Sequence, residues 1–349
     1  MSYPFNANCL KVIALSFFLL VFQSAFSQSY AEIDAILAQN KKLLGEDVIV
    51  MVANKDTVVY QKANKLFTPR VQAPIGHASQ WLTAALILQL VDEGKLSLDD
   101  KVSHYLPEFA KYGKNYITLR HCLSHFTGIQ AETPKALKLF ERKKFASLED
   151  EVASFAAKEI GTNPGTEFRY NTMGPVIAAL VAEKVSKKKF DMLIQQKLFR
   201  PLGMRQTTFN TMDGSPPDPA TGARTTASDY IRFLTMLLNN GSYKGQRILS
   251  EASVKQLRTI QTTPQLIKYA PEGTKGFEYA LSAWAPEQRG EQEATVLTNP
   301  GFDGMLPIVD FCRGYAFLLL LKEEKDDPKA ALYAPVKDAL DNHFKGGCK

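Results

Sequence analysis

The hydrophobic pattern of the chain centres on residues 74–98, which are predicted to form a helix buried in the middle of a core. Apolar side chains surround the axis of this helix instead of forming one stripe, as expected where a helix is packed on all sides. They are Trp81, Leu82, Ala84, Ala85, Leu86, Leu88, Leu90 and Val91. Gly94 is expected to end the helix. The unpaired N–H groups of its first turn, residues 76–80, would provide a site for a carbonyl or an anion.

The pattern on either side of this helix predicts a helical middle enclosed by strands. Residues 30–44 have the spacing of an amphipathic helix, and residues 48–53 and 57–61 are predicted as strands joined by a polar turn. Helical periodicity then continues to about residue 250. The further predicted helices are 118–125, 148–158, 174–185, 190–199 and 228–239, the later predicted strands are 277–285, 294–298, 305–310 and 315–321, and a last helix is predicted at 328–344.

Strands at both ends of a chain with a helical middle indicate an α+β fold. We expect one antiparallel sheet flanked by the N- and C-terminal helices, with a large inserted all-helical lobe. The sheet part would comprise about residues 28–73 and 251–349, and the lobe about residues 74–250. These boundaries follow from the order of the predicted elements alone.

The first 27 residues have the features of a signal peptide. Lys11 precedes an apolar run over residues 12–22, and Ala25 and Ser27 supply the small residues that a signal peptidase requires. The run is about half the roughly 20 residues that a membrane span needs, so an uncleaved anchor is the weaker interpretation. We expect an exported protein, periplasmic or secreted, that begins at Gln28 and has no membrane span in the mature chain.

Composition and charge exclude some function classes. The chain is 45% hydrophobic and 22% charged, which is typical of a globular protein. Loss of Lys11 lowers the formal net charge from +6 only to +5, and acidic residues occur throughout, so we expect no nucleic-acid partner. Cys122, Cys312 and Cys348 remain after removal of residues 1–27, and this odd number allows at most one disulfide.

Three further segments point to one known superfamily. Residues 90–109 read LVDEGKLSLDDKVSHYLPEF, residues 117–129 read ITLRHCLSHFTGI, and residues 198–204 read LFRPLGM. Together they closely resemble the serine β-lactamases and penicillin-binding proteins, in particular the class C and esterase-like serine hydrolases. The resemblance implies a β-lactamase/transpeptidase-like fold with its active site in the groove between sheet and lobe.

The catalytic motifs of that superfamily are S-x-x-K at the start of the buried helix, Tyr-x-Asn in a loop, and Lys or His followed by x-Gly on a strand at the edge of the groove. Aligned without a gap, these positions carry His77, Gln80, Tyr170, Thr172, Asn299 and Gly301. Tyr170 and Gly301 match the motifs. His77 stands at the serine position and Gln80 at the lysine position, so no catalytic residue set is intact.

The chemistry explains why these differences matter together. A serine hydroxyl attacks a carbonyl only when a nearby base takes its proton, and the resemblance implies that a lysine and a tyrosine share that role. Gln80 cannot accept a proton at neutral pH. With no cation at the positions of Gln80 and Asn299, we expect Tyr170 to stay a neutral phenol. His77 could itself attack a carbonyl, but nothing in the sequence would activate its ring.

Backbone donors do not depend on side-chain identity. The resemblance implies an oxyanion hole formed by the N–H groups of His77 and Phe302, so a carbonyl or carboxylate could still bind. We therefore predict a ligand site formed by His77, Tyr170, Asn299 and Phe302. Its ligand would be a cell-wall peptide or a small molecule with a carbonyl or carboxylate, and we expect no cofactor.

Simpler interpretations apply to several of these residues. His77 could merely fill an abandoned pocket, and Asn299 with Gly301 could merely mark a turn. His121 and His125 have the i, i+4 spacing of zinc ligands, but no acidic residue lies between them and the superfamily has a similar run, so no metal site is predicted.

Two functions from different classes follow. The preferred one is a pseudoenzyme that binds a ligand or a partner in the old active-site cleft. The alternative is an active esterase, peptidase or β-lactamase with a relocated nucleophile, for which Ser79, Thr172 and His77 are the nearest residues. The missing base favours the pseudoenzyme, because no Lys, His or carboxylate stands at a motif position able to serve a serine or threonine.

Overall fold

The computed structural model describes residues 30–130, 145–211, 213–290, 292–299, 304–323 and 329–347. The predicted signal peptide, Gly301 and Phe302 lie outside the described residues.

The elements follow one another in the predicted order. The first half of the chain contains α1 (Ala31–Gln39), α2 (Lys41–Leu44), β1 (Val48–Ala53), β2 (Val58–Lys62), β3 (Ala73–Pro74), α3 (Ser79–Asp92), α4 (Glu108–Lys111), α5 (Leu119–Leu123), α6 (Leu148–Ala157), β4 (Phe168–Arg169) and α7 (Met173–Ser186). The second half contains α8 (Phe190–Ile194), α9 (Arg200–Leu202), β5 (Arg224–Thr225), α10 (Ala227–Leu238), β6 (Ser242–Tyr243), β7 (Gln246–Arg247), α11 (Glu251–Arg258), β8 (Ile267–Tyr269), β9 (Glu278–Tyr279), β10 (Trp284–Arg289), β11 (Glu293–Thr298), β12 (Met305–Asp310), β13 (Tyr315–Leu321) and α12 (Tyr333–His343).

Seven strands form one antiparallel sheet with the order β2-β1-β13-β12-β11-β10-β9. The sheet joins the first two strands of the chain to its last five, so the two ends of the chain share one sheet. Shorter two-stranded pairs form between β3 and β5, β4 and β8, and β6 and β7. The predicted α+β fold with a terminal antiparallel sheet is thereby confirmed.

Both faces of the sheet are covered, and alternate residues of β1 serve the two faces. Val50 and Val52 belong to a core cluster with apolar residues of α1 and α12. Ile49 and Met51 face the other way, into a larger cluster with α3, α7 and α10. Because both faces are buried, the strands are continuous apolar runs, and the predicted strands 48–53, 305–310 and 315–321 are confirmed residue for residue.

The central helix is confirmed as a buried helix, but it begins later than predicted. All residues of α3 from Ser79 to Leu90 are buried. Pro74 belongs instead to β3, which pairs with β5. The 3₁₀ turn Gly76–Ala78 follows, with Gly76 at a φ of 46°, and only then does the α-helix start.

The prediction of one strand over residues 277–285 is wrong. The segment is a tight hairpin in which the Ala280 N–H donates to the Ala283 carbonyl and Ser282 lies at a φ of 61°. The Ser282 backbone N–H and hydroxyl both donate to the Leu123 carbonyl, at 3.0 and 3.1 Å. This contact with the end of α5 stabilises a turn that the local sequence does not mark.

Two helical predictions also need correction, and one helix was missed. The predicted helix 30–44 is divided at Asn40, whose side chain donates to the Ile36 carbonyl at 2.9 Å and so competes with continued helix. The predicted helix 190–199 is α-helical only in α8 and continues through a π-helical turn, Gln195–Phe199, into α9. Helix α11 was not predicted from the pattern.

Two further findings concern the cysteines and the question of a membrane span. Cys122 is buried and free, whereas Cys312 is disulfide-bonded to a partner outside the described residues. In the described part of the chain, no helix has the length and apolar character that crossing a membrane requires.

Candidate functional site

The start of α3 is held in place by hydrogen bonds from elsewhere in the fold. The Tyr230 hydroxyl donates to the Ala78 carbonyl at 3.1 Å, and Ser79 Oγ accepts from the Ala223 N–H at 3.0 Å. Ser79 is fully buried. His77 is half-buried two residues before Ser79, and its ring lies 5.5 Å from the ring of Tyr170.

Gln80 connects α3 to Tyr170 directly. Its side chain is 1% exposed, and Nε2 lies 3.3 Å from the Tyr170 hydroxyl, to which it donates. The other end of the amide, Oε1, has no hydrogen-bond partner within the described chain. The two motif positions of the helix and Tyr170 therefore come together as the resemblance implies.

Tyr170 follows β4 and lies among aromatic rings. Its ring centre is 4.5 Å from His125, 5.5 Å from Trp284 and 6.0 Å from Tyr279. The close approach of α7 to α5 supports this arrangement, since a Cβ on Gly174 would lie 1.9 Å from the Cys122 carbonyl oxygen. Only glycine allows the loop that carries Tyr170 to pack against the segment that carries His125.

Thr172, the position implied to hold asparagine, is exposed at the N-terminus of α7. Its hydroxyl makes no capping bond there. Asn171 caps the helix instead, because its Oδ1 accepts from the Met173 N–H at 2.9 Å. Its amide nitrogen donates to the Arg169 carbonyl at 2.7 Å, which fixes the loop just after Tyr170.

Asn299 lies one residue beyond the end of β11. The preceding residue, Thr298, pairs with Trp284 on β10 and with Ile308 on β12. Since Trp284 packs on Tyr170, this pairing brings Asn299 to the same region. Asn299 is 5% exposed, and its Nδ2 has no hydrogen-bond partner in the part of the chain that the structure describes. We call His77, Gln80, Tyr170 and Asn299 the motif site.

His125 lies beside the motif site, whereas the sequence analysis considered it only as a zinc ligand and rejected that role. The Asn171 N–H donates to its Nδ1 at 3.4 Å, so Nε2 carries the proton and donates to the Tyr279 hydroxyl at 2.9 Å. Burial, with a smaller contribution from His77, lowers the pKa of His125 to about 3. The ring is therefore neutral at physiological pH.

His121, its neighbour in the zinc hypothesis, has a different role. Its Nδ1 accepts from the Thr118 N–H at 3.3 Å while the Thr118 hydroxyl accepts from the His121 N–H, which completes a capping box for α5. No group of three or more His, Cys, Asp or Glu side chains that could hold a metal ion occurs among the described residues.

Apart from the imidazole of His77, the side chains of the motif site are amides and a phenol. Gln80 and Asn299 present amides, Tyr170 presents a phenol, and no Lys, Arg, Asp or Glu of the described chain contributes to the pKa of the neighbouring His125. Such a group of side chains can donate and accept hydrogen bonds. Apart from His77, which stands at the position of the nucleophile itself, these side chains include no base that could activate a hydroxyl.

Comparison with known proteins identifies the family of the chain. The profile of the β-lactamase family matches residues 37–339, which is most of the sequence. The chain belongs to the β-lactamase family. Among curated relatives, the flp protein of Staphylococcus aureus strain MW2 is 28% identical over 155 residues, which are 43% of this chain and 31% of flp. The chain thus matches about a third of that relative's length.

Solved structures of related proteins share the fold over most of the chain. A candidate β-lactamase of Bacteroides dorei DSM 17855 is 27% identical with a TM-score of 0.79, and the match covers 90% of this chain and 99% of that one. EstCE1, a hydrolase with promiscuous acyltransferase activity, is 18% identical with a TM-score of 0.75 and the same coverage. At that identity, EstCE1 supports the fold alone.

Proposed function

We propose that this β-lactamase-family chain is an exported protein that has lost serine hydrolase activity and binds a ligand through the motif site. One observation carries the proposal. The residue three positions after His77 is Gln80, and its amide, not an ammonium group, contacts the Tyr170 hydroxyl. The predicted signal peptide over residues 1–27 is the basis for export.

The chemistry of the site supports the loss of activity. Hydrolysis through a serine needs a nucleophile and a group that takes its proton. His77 and Gln80 occupy the two positions that would provide them, and the nearest buried imidazole, His125, uses Nδ1 and Nε2 in hydrogen bonds to Asn171 and Tyr279. His77 is the other imidazole beside Tyr170, and because it stands at the nucleophile position, the described residues of the site include no separate base to serve a nucleophile.

The alternative with a relocated nucleophile finds little support in the packing. Ser79 is fully buried, and its oxygen accepts from the Ala223 N–H, so a substrate could not reach it without local unfolding. Thr172 is exposed, and its hydroxyl does not cap the helix that follows it. Of the three residues considered, His77 is therefore the remaining nucleophile for an active enzyme.

Binding is the function that the remaining geometry favours. The N–H groups of His77 and Phe302 are the donors that the family resemblance implies for a carbonyl, and Asn299 and Tyr170 add side-chain polar groups. The proposed ligand is a cell-wall peptide or a small molecule with a carbonyl or carboxylate group. No cofactor is needed for such binding.

Activity assays on the mature protein, from Gln28 onward, test the loss of activity. We expect no turnover of a chromogenic cephalosporin or a short-chain p-nitrophenyl ester above the solvent background, and an unmodified intact mass after treatment with a fluorophosphonate. Saturable turnover that is abolished by Ser79→Ala, or by His77→Ala, would establish the alternative. Circular dichroism of each variant separates loss of activity from loss of fold.

A further inference from the structure

A cavity of about 580 Å³ lies between the β1–β2 hairpin, helix α10 and the β6–β7 hairpin. The residues that line it are all outside the motif site. Its volume falls in the range of roughly 300–1,000 Å³ that small-molecule sites occupy. The function proposed above does not use this cavity, which we call the α10 cavity.

Hydrogen bonds hold the walls of the α10 cavity in place. The Asn239 side chain donates to the Lys55 carbonyl at 2.7 Å, which attaches the β1–β2 turn to the end of α10. Within the same turn, Asn54 Oδ1 accepts from the N–H groups of Asp56 and Thr57, at 2.9 and 2.8 Å. The β1–β2 turn is thus fixed against the helix that forms the opposite wall.

Positive charge predominates in the lining. Lys55 and Lys244 lie in the two hairpin turns and Arg232 lies on α10, whereas Asp56 is the one acidic residue of the lining. Neither lysine forms an ion pair within the described chain, and the Lys244 ammonium lies 5.6 Å from the centre of the Tyr243 ring. An anion can therefore bind both lysines without displacing an existing carboxylate.

Arg232 adds N–H donors whose direction is fixed. Its Nη1 donates to the Asp229 carboxylate at 3.3 Å and to the Gly203 carbonyl. Nε and Nη2 have no hydrogen-bond partner among the described residues, and 36% of the side chain is exposed. Because Asp229 offsets part of the charge of Arg232, the attraction for an anion comes mainly from the two lysines, and the guanidinium contributes hydrogen bonds.

Hydroxyl groups and apolar side chains complete the lining. The hydroxyls of Thr57, Ser228 and Tyr243 have no hydrogen-bond partner in the part of the chain that the structure describes. Burial raises the pKa of Tyr243, so its phenol remains a donor at neutral pH. Met51 and Ile231 are each 3% exposed and provide apolar surface. The cavity thus combines hydrogen-bond donors with a place for an apolar group.

We propose that the α10 cavity binds a phosphate monoester, with the phosphate held by Lys55, Lys244 and Arg232 and the organic part against Met51 and Ile231. A phosphate monoester carries nearly two negative charges at neutral pH and has three terminal oxygens that accept hydrogen bonds. It can therefore use more of these donors than a carboxylate, which has two oxygens and one charge. This site is separate from the motif site, so the inference does not depend on the proposed function.

Titrations followed by methyl NMR test the class of ligand. Phenyl phosphate, phenylacetate and benzyl alcohol share an aromatic ring but carry a phosphate, a carboxylate or no charge, and inorganic phosphate lacks the ring. At pH 8 phenyl phosphate is a dianion, because the second pKa of a phosphate monoester is about 6. We expect it to bind about tenfold more tightly than any of the other three probes, with shifts of the Met51 and Ile231 methyl signals.

Variants of exposed residues connect binding to the cavity. Lys55→Gln and Lys244→Gln should each weaken the binding of phenyl phosphate about fivefold. Lys255→Gln, at an exposed position of α11 outside the lining, makes the same change in net charge and should alter it by less than about twofold. Asp56→Asn should strengthen binding by about twofold to threefold, because it removes the acidic residue of the lining. Loss of fold cannot produce that increase.

Two sources supply a phosphate monoester, a soluble compound and the headgroup of phosphatidic acid. Cosedimentation with vesicles of phosphatidylcholine, prepared with and without phosphatidic acid, distinguishes them. Cosedimentation that requires phosphatidic acid and is reduced in Lys55→Gln and Lys244→Gln would support the site and identify a lipid ligand. Binding of phenyl phosphate without cosedimentation would support the site and identify a soluble ester.

Other outcomes would overturn the proposal. They are equal or tighter binding of phenylacetate or benzyl alcohol, binding of phenyl phosphate that Lys55→Gln and Lys244→Gln leave unchanged, and no binding of phenyl phosphate or of vesicles with phosphatidic acid. None of these results bears on the loss of hydrolase activity, which is judged separately by the ester and cephalosporin assays.

Discussion

His125 is 1% exposed, and its backbone lies in the left-handed region with a φ of 58°. Few residues with a side chain adopt this conformation, and histidine is among those that tolerate it better. The conformation directs the chain from α5 towards β4, and the Arg169 N–H donates to the His125 carbonyl at 3.1 Å. His125 therefore connects the two segments on either side of Tyr170 through both its ring and its backbone.

The low pKa of His125 predicts a pH dependence of stability. Because the pKa falls from 6.5 to about 3 on folding, the unfolded chain binds the extra proton between these values. The contribution of His125 is thus complete above pH 6.5 and is lost as the pH falls towards 3. Between pH 7 and pH 4.5 the free energy of unfolding should decrease by about 2 to 3 kcal/mol through this residue.

Urea denaturation at the two pH values measures this effect. In His125→Asn the new residue tolerates the left-handed backbone but does not titrate, so the decrease between pH 7 and pH 4.5 should be smaller than in the wild type by about 2 kcal/mol. His104→Asn, at an exposed position, is the control and should keep the wild-type decrease. Parallel pH profiles for His125→Asn and the wild type would contradict the assignment.

At the scale of single elements, the sheet shows what the sequence could and could not predict. β12 and β13 were predictable because both of their faces are buried, so β13 is an uninterrupted apolar run and β12 is apolar up to its last residue, Asp310. The β9–β10 hairpin was not, because its turn depends on the contact between Ser282 and the distant Leu123 carbonyl. Gly94, with a φ of 68°, does mark the end of α3 as predicted.

The same distinction applies to the candidate site. The family resemblance placed Tyr170 and Gln80 together, and they are in contact. The ring of His125 could not be placed, because its position depends on the packing of α5 against α7 and not on a local pattern. The unpaired atoms of Gln80 and Asn299 are likewise properties of the folded chain. The domain boundaries and the ligand-binding roles of the motif residues stay predictions.

Helix α12 is attached to the sheet by a cluster of charges around the buried Lys337 and Asp310. Lys337 on this helix contacts Glu287 at 2.8 Å, Asp310 at 3.1 Å and Asp341 at 2.6 Å, and Arg313 joins the same carboxylates. Although burial alone would lower the pKa of Lys337, its hydrogen bonds to Asp341 and Glu287 and the charge of Asp310 raise it. Lys337 is therefore charged at neutral pH.

Removing this charge should destabilise the whole fold. In Lys337→Met the aliphatic chain is kept, but the three carboxylates retain only Arg313 as a counter-charge, so the free energy of unfolding at pH 7 should fall by about 3 to 5 kcal/mol. Guanidinium denaturation followed by circular dichroism measures the change. Lys345→Met, at an exposed position after the helix, should change it by less than about 0.5 kcal/mol. If Lys337→Met changed the free energy of unfolding as little as Lys345→Met, the charge of Lys337 would contribute little to the stability of the fold.

At the scale of the whole molecule, the position of the site and its chemistry depend on different residues. The fold sets the position, and the side chains at the motif positions set the chemistry. The sheet and the helices that pack on it bring the start of α3, the loop after β4 and the end of β11 together, largely through backbone pairing and apolar packing. That framework is shared with the candidate β-lactamase of Bacteroides dorei at a TM-score of 0.79. The family resemblance implies other side chains at four motif positions of this framework, so restoring those side chains tests whether the framework still has the geometry of the family.

The test is the quadruple variant His77→Ser, Gln80→Lys, Thr172→Asn and Asn299→His. It would recreate the nucleophile, the lysine three residues along the helix, the loop asparagine and the cation that the resemblance implies. Because the new lysine and Tyr170 would act as one unit, each single variant should stay at background while the combination becomes labelled by a fluorophosphonate or hydrolyses simple esters. Burying the lysine costs a few kcal/mol if its partners are misplaced, so circular dichroism must first show a folded protein. Intact-mass spectrometry then detects the adduct. A folded quadruple variant without label or turnover would mean that the site no longer has the geometry of its family, and the ligand-binding role proposed for the same residues would lose its structural basis.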